Sequence, residues 1–171
     1  MILPVLLLAL GDLQTVKKVD LQKYAGRWYE VARLPNKFQK DCSGNVTANY
    51  KLNADQTIEV VNRCREEGKT KPKEATGVAR IAKEDNGSNS VLEVRFAPAI
   101  LSFIGAVWGD YRIIALDSKY SYVMVGSNDR KYLWILSRRP TLGANTYNRL
   151  LKDAAKQGFD PGRVVRTPQT K

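Results

Sequence analysis

Any chemistry in this chain has to be done without histidine, because its 171 residues contain none. That removes the base from Ser-His-Asp and Cys-His machinery. It also removes imidazole from zinc sites and the side chain that most often changes charge near neutrality. Two cysteines, Cys42 and Cys64, are too few for a closed thiolate site. Neither a metal nor an organic cofactor is expected. For acid–base work, Glu30 with a tyrosine is the one candidate pair, and no catalytic residue is assigned.

The cysteines have a structural reading. Residues 44–52 (GNVTANYKL) and 57–63 (TIEVVNR) are rich in β-branched and aromatic residues, with a turn-like Asn53-Ala54-Asp55-Gln56 between them. This predicts a β-hairpin with Cys42 and Cys64 roughly opposite each other at its open end. That spacing permits a disulfide worth roughly 3 kcal/mol in the chain-entropy model. The competing reading is a reactive thiol, its pKa lowered by Lys40, Arg63 or Arg65.

The same signals recur along the chain. Strands are predicted at 26–34, 74–82, 90–96, 109–116, 120–127 and 131–137, with tight turns at Asp85-Asn86-Gly87-Ser88, Asp117-Ser118-Lys119 and Asn128-Asp129-Arg130. A short helical turn precedes them at 19–24. With the hairpin this makes eight strands joined by short connections. The expected fold is all-β: an eight-stranded antiparallel up-and-down barrel, which leaves no free sheet edge. The period then changes. Tyr147, Leu150, Leu151, Ala154 and Ala155 form one helical stripe, with Asn145 or Thr146 as N-cap and Gly158 just past the end. A C-terminal helix packed outside the barrel is expected, followed by a short strand at Val164-Val165.

Length suits one domain, expected over residues 12–171. Residues 2–10 (ILPVLLLAL) are too short to span a bilayer and read as the apolar part of an export signal, cut before Asp12. A positive n-region is missing, and Asp12 stands where a lipid-anchored protein would carry cysteine. Export to an envelope or to the outside is the expectation. The formal net charge is +11, scattered apart from a loose Lys69, Lys71, Lys73 cluster. It reads as a solvated surface, or as attraction to an anionic membrane. No nucleic-acid motif accompanies it. Asn45-Val46-Thr47 and Asn86-Gly87-Ser88 match glycosylation sequons.

Three ordered motifs carry a family resemblance. Gly26-Arg27-Trp28 matches the G-x-W signature of lipocalins. Gly109-Asp110-Tyr111 resembles their T-D-Y signature, with Gly109 in place of Thr, and Arg138 matches the arginine after the last strand. The stretches GRWYEVARLPNKFQ, DYRIIALD and YLWILSRRPT are similar to bacterial outer-membrane and apolipoprotein D-like lipocalins. The resemblance implies a calyx closed at one end, with Trp28 plugging it and Arg138 packed across the indole.

If Trp28 points inward, strict alternation carries Glu30, Ala32 and Leu34 with it. If Arg138 shares that direction, so do Leu136, Trp134 and Tyr132, while Tyr111, Ile113 and Ala115 form a third set. A single bulge would reverse each later assignment. Glu30, as a buried carboxylate, requires a partner, expected in Arg112, Arg138 or a backbone donor. The resemblance implies a fatty acid or lysophospholipid as ligand, in envelope lipid storage or transport. The alternatives are a surface module using the basic face, or a lipid isomerase working in the cavity. The apolar connection at 97–108 (APAILSFIGAVW) is expected to seal the barrel, line its mouth or touch a membrane.

Overall fold

Alternating burial builds the wall of the molecule. In the strand Cys42–Leu52, Val46, Ala48 and Tyr50 are buried while Asn49 and Lys51 face water. The computed structural model describes residues 11–96 and 108–170. The apolar leader at 2–10 and most of the apolar connection, 97–107, lie outside the described residues. The strands are β1 (Gly26–Arg33), β2 (Cys42–Leu52), β3 (Ile58–Glu66), β4 (Lys73–Ile81), β5 (Val91–Arg95), β6 (Gly109–Leu116), β7 (Tyr122–Gly126), β8 (Leu133–Ser137) and β9 (Val165–Arg166). Each pairs antiparallel with its neighbour in the order β2-β3-β4-β5-β6-β7-β8-β1-β9, and β1 also pairs with β2. The eight-stranded barrel expected from the turns is therefore closed, with one extra strand.

The closure between β1 and β2 is made in two parts. Near the start of β1 the two strands pair directly, from Gly26 with Tyr50 to Tyr29 with Thr47. Beyond Tyr29 they separate, and the segment at 165–170 fills the gap. Val165 and Arg166 pair with Arg33 and Ala32. The Thr167 amide donates to the Val31 carbonyl (2.9 Å), and the Asn45 amide to that of Pro168 (2.8 Å). The Gln169 amide group donates to the carbonyls of both Glu30 and Val46 (2.8 and 2.9 Å). Cys42 and Cys64 are bridged at the same end, with Cα atoms 5.6 Å apart. Irregular register around Gly44 sets Cys42 against Glu66, so the bridge is diagonal rather than directly across.

Helix α2 (Ala144–Lys156) lies outside, as its stripe predicts. Tyr147, Leu150 and Ala154 pack with Met124, Leu133 and Ile135. Its start differs from expectation: the N-cap is Gly143, with no side-chain cap bond, and Asn145 and Thr146 fall inside the first turn. Its end agrees. Gly158 takes φ +89°, its amide donates to the Ala155 carbonyl and that of Phe159 to Ala154, which is a Schellman ending. Phe159 then packs against Gly126, where a Cβ would come within 2.6 Å of the ring.

The closed end is organised by α1 (Leu21–Tyr24), capped by Asp20, whose carboxylate accepts from the amides of Gln22 and Lys23. Trp28 is fully buried and donates its indole N–H to the Tyr24 carbonyl (2.8 Å). The Arg138 guanidinium lies 3.8 Å from the centre of the Trp28 ring. It donates to the carbonyls of Lys23, Ala25 and Arg27 at 2.7–2.9 Å, and to those of Tyr24 and Tyr120 at 3.2–3.3 Å. Above this plug, the Tyr111 hydroxyl bonds those of Tyr24 (2.6 Å) and Tyr50 (3.0 Å). Burial pushes Tyr50 up to about 12 and holds Tyr24 and Tyr111 well above the ordinary value, because a phenolate here would be stripped of water.

Two outcomes follow. Arg138→Ala leaves several carbonyls short of a donor and removes the cation over the indole, so it should cost about 3 kcal/mol in denaturant unfolding. In an alkaline titration followed at 295 nm, three of the eight tyrosines should ionise late. Their folded values exceed the unfolded one, so the stability they confer is complete below about pH 10 and falls as pH climbs through the folded values.

Candidate functional site

The lumen is set by which side chains each strand turns inward, and two bulges decide that. In β1 the register with β8 slips between Glu30, opposite Leu136, and Ala32, opposite Ile135. Residue direction reverses there. Ala32 and Leu34, expected on the wall, instead pack in the outer cluster beneath α2. Arg33 takes the inward position opposite Trp134. A second slip lies in β6 between Ile113, opposite Val125, and Ala115, opposite Met124, and it sends Ala115 outward too. Tyr111, Ile113, Trp134 and Leu136 are inward, within one cluster that includes Ala48, Tyr50, Val60, Ala79 and Leu92. Of the motif residues, Gly26 starts β1 at φ +94° within 3.4 Å of the Arg138 guanidinium, measured from where a Cβ would stand. Asp110 faces away from the lumen and holds Arg112 (3.0 Å) and the Asn128 amide (2.6 Å).

Glu30 is inward and 2% exposed, and its partners are not those expected. Arg112 is engaged with Asp110 and Glu84, and Arg138 belongs to the closed end. Instead Arg33 Nη1 donates to Glu30 Oε1 (2.7 Å), Gln39 Nε2 donates to Oε2 (2.6 Å), and the Thr167 hydroxyl donates to Oε1. The β1 bulge explains this, since it brings Arg33 to the face that Glu30 already occupies. Gln39 sits on a single 3₁₀ turn, Lys37–Gln39, in the connection to β2, and that turn is capped by the Asn36 side chain. Gln39 Oε1 accepts from Trp134 Nε1 and Asn36 Nδ2, both at 2.8 Å. One side chain thus ties the β1–β2 connection to the carboxylate and to the opposite wall. Tyr132 stacks parallel on Trp134 (centroids 5.7 Å) and meets Phe38 (5.6 Å) at the mouth.

Asn62 was not among the expected site residues. It stands opposite Ala48 on β2 and Ala75 on β4, on the inward face that follows Ile58 and Val60. Its Oδ1 is buried and has no hydrogen-bond partner. Its cross-strand neighbours Ala48 and Ala75 are small, as is Ala79, while the Phe96 ring lies over Gly77. The signal was present in the sequence: an amide in the third place of an otherwise apolar period-2 series. Among the described residues, no cluster of acidic or sulfur side chains is placed to hold a metal ion. No helix of the described residues is long and apolar enough to cross a membrane.

The lumen is therefore apolar and aromatic over most of its wall, with an ionic network near the mouth that leaves Arg33 Nε unpaired, a closed hydroxyl cluster at the floor and the unpaired amide oxygen of Asn62 between. The family model described as Lipocalin-like domain matches residues 19–169. The chain is 38% identical over 165 residues to the outer membrane lipoprotein Blc of Vibrio cholerae, covering 94% of this chain and 90% of that one. It is 35% identical over 160 residues to temperature-induced lipocalin-1 of Arabidopsis thaliana, covering 93% and 84%. It is 32% identical over 159 residues to apolipoprotein D of Mus musculus, covering 88% and 77%. Insecticyanin of the tobacco hornworm Manduca sexta shares the fold, with a TM-score of 0.73 at 20% identity, over 95% of this chain and 87% of the other. Family match and geometry lead to one conclusion: this chain is a lipocalin, a member of a family that binds small hydrophobic ligands.

Proposed function

We propose that this protein binds, stores or transports a single-chain lipid of the fatty acid or lysophospholipid type in its barrel, as part of lipid handling at a cell envelope. The unpaired Asn62 oxygen carries this reading. A buried acceptor without a donor costs the folded protein about 1–3 kcal/mol, and a ligand that brings a donor recovers it. The free glycerol hydroxyl of a lysophospholipid, or a protonated carboxylic acid, is such a donor. The apolar wall around Tyr111, Ile113, Trp134 and Leu136 suits the acyl chain, and Tyr132 stands where the chain enters.

A binding role without turnover fits the state of the candidate acid–base pair. Both Glu30 oxygens are occupied by Arg33, Gln39 and Thr167, and the tyrosine hydroxyls at the floor bond one another. A lipid isomerase would need one of these networks to open. Export fits the likeness to the Vibrio cholerae outer membrane lipoprotein Blc. Contact with an anionic membrane belongs to the same reading, because a carrier has to meet the surface that supplies its lipid.

The test is a titration of delipidated protein with oleate and with a lysophospholipid, following tryptophan emission. Saturation is expected near one ligand per barrel, and its absence with both lipids would overturn the reading. Asn62→Leu should separate binding from folding. It removes the unpaired acceptor, so the free protein should gain about 1 kcal/mol of stability while lysophospholipid binding weakens about tenfold.

A further inference from the structure

The barrel has two ends of different character. The connections at 34–41, 67–72 and 127–132 lie at the open end, as does Phe96; those at 53–57, 82–90 and 117–121 lie at the closed end. Among the described residues, three large apolar side chains are exposed: Phe38 (62%), Phe96 (39%) and Val165 (42%). All three are at the open end. Phe38 sits on the 3₁₀ turn above Tyr132, Phe96 follows β5, and Val165 is paired with the last residue of β1.

Charge divides the same way. Each described open-end connection carries one surplus positive charge: Lys37 and Lys40 against Asp41, Lys69 and Lys71 against Glu67, Arg130 and Lys131 against Asp129. The closed-end connections run the other way or balance: Asp55 alone, Lys83 against Glu84 and Asp85, Lys119 against Asp117. Lys37, Lys40, Lys69 and Lys71 are exposed and have no ion-pair partner among the described residues. A groove of about 470 Å³ runs along this rim, lined by Arg33, Asn36, Lys37, Lys40 and Val165. Arg33 Nε, at its edge, has no hydrogen-bond partner.

We propose that the open rim is a docking face for an anionic phospholipid bilayer. Phe38 and Phe96 enter the interfacial layer, Lys37, Lys40, Lys69 and Lys71 meet the headgroups, and the groove between the β1–β2 connection and β9 takes a lipid phosphate. Exposed aromatics ringed by lysines match such a surface on both counts, apolar insertion and charge. The orientation sets the mouth of the lumen against the membrane, so a lipid passes between bilayer and barrel without crossing water. This inference rests on the carrier reading for its purpose, though docking is measured without it.

The experiment is sedimentation with vesicles of phosphatidylcholine alone and of phosphatidylcholine with phosphatidylglycerol. Binding should need the anionic lipid and weaken with salt. Each lysine near such a surface is worth about fivefold in affinity, so the double reversal Lys37→Glu with Lys40→Glu should weaken binding at least tenfold. The equal charge change at the closed end, Lys83→Glu with Lys119→Glu, should leave it within about twofold. Phe38→Ser should weaken it severalfold with no change of charge. All variants should keep wild-type circular dichroism, and both double reversals should keep a wild-type lysophospholipid titration in solution. Equal losses from both double reversals would mean that net charge alone attracts the protein, and would overturn the docking face; so would wild-type binding by the rim variants. Rim-dependent docking without any saturable lipid binding in solution would sink the carrier reading and leave the docking face standing.

Discussion

The stack of Arg138 on Trp28 is the contact on which the barrel depends. It joins three pieces of chain far apart in sequence: the helical turn before β1, the start of β1 and the exit of β8. A guanidinium suits this place better than an ammonium, because its planar fork can lie on the indole while its edges reach several carbonyls at once. Those carbonyls belong to the end of a short helix and to a strand start, where backbone acceptors would otherwise be left short. Once they are held, Tyr24 is aimed at Tyr50 and Tyr111, and the floor of the lumen is closed by aromatic rings.

Much of this was legible beforehand, because the signals were local. Turn residues between β-branched runs gave the strand count, and a change of period marked α2. Two of the three short motifs, at Trp28 and Arg138, marked the closed end; the third starts β6 at the other end, where Asp110 holds the Asn128 amide. The bridge between Cys42 and Cys64 followed from hairpin geometry, even though the register around Gly44 shifts it off the direct pairing. What failed was parity. Ala32 and Leu34 are as apolar as a lumen wall demands, and nothing in their identity tells a core shared with a helix from a core shared with a ligand. The bulge after Glu30 made that choice, and it shows in the register of β1 against β8 rather than in residue type.

The same bulge explains the polar side of the site. It turns Arg33 toward the carboxylate of Glu30, and Gln39 then reaches both Glu30 and Trp134. An ionised pair in a barrel is costly unless its remaining lone pairs are satisfied, and here a glutamine and a threonine do so. Asn62 lies beyond this network. Among the described residues, the lumen therefore holds a network closed except at Arg33 Nε and, apart from it, the open oxygen of Asn62, and each unpaired atom has something to gain from an arriving molecule.

The gap between β1 and β2 has a kinetic meaning. Apart from the long-range pairing of β1 with β8, the barrel is otherwise zipped by hairpins whose strands are close in sequence, and such pairings form fast. This seam instead joins Asn45, Val46 and Glu30 to residues 123–139 positions further along the chain. Its closure carries the largest loop entropy in the wall, so it comes after the hairpins have assembled. Until then the nascent calyx is a curled sheet with a lateral slit beside its future ionic network. If thermal opening retraces that order, the wall is expected to part first along the line that was last sewn.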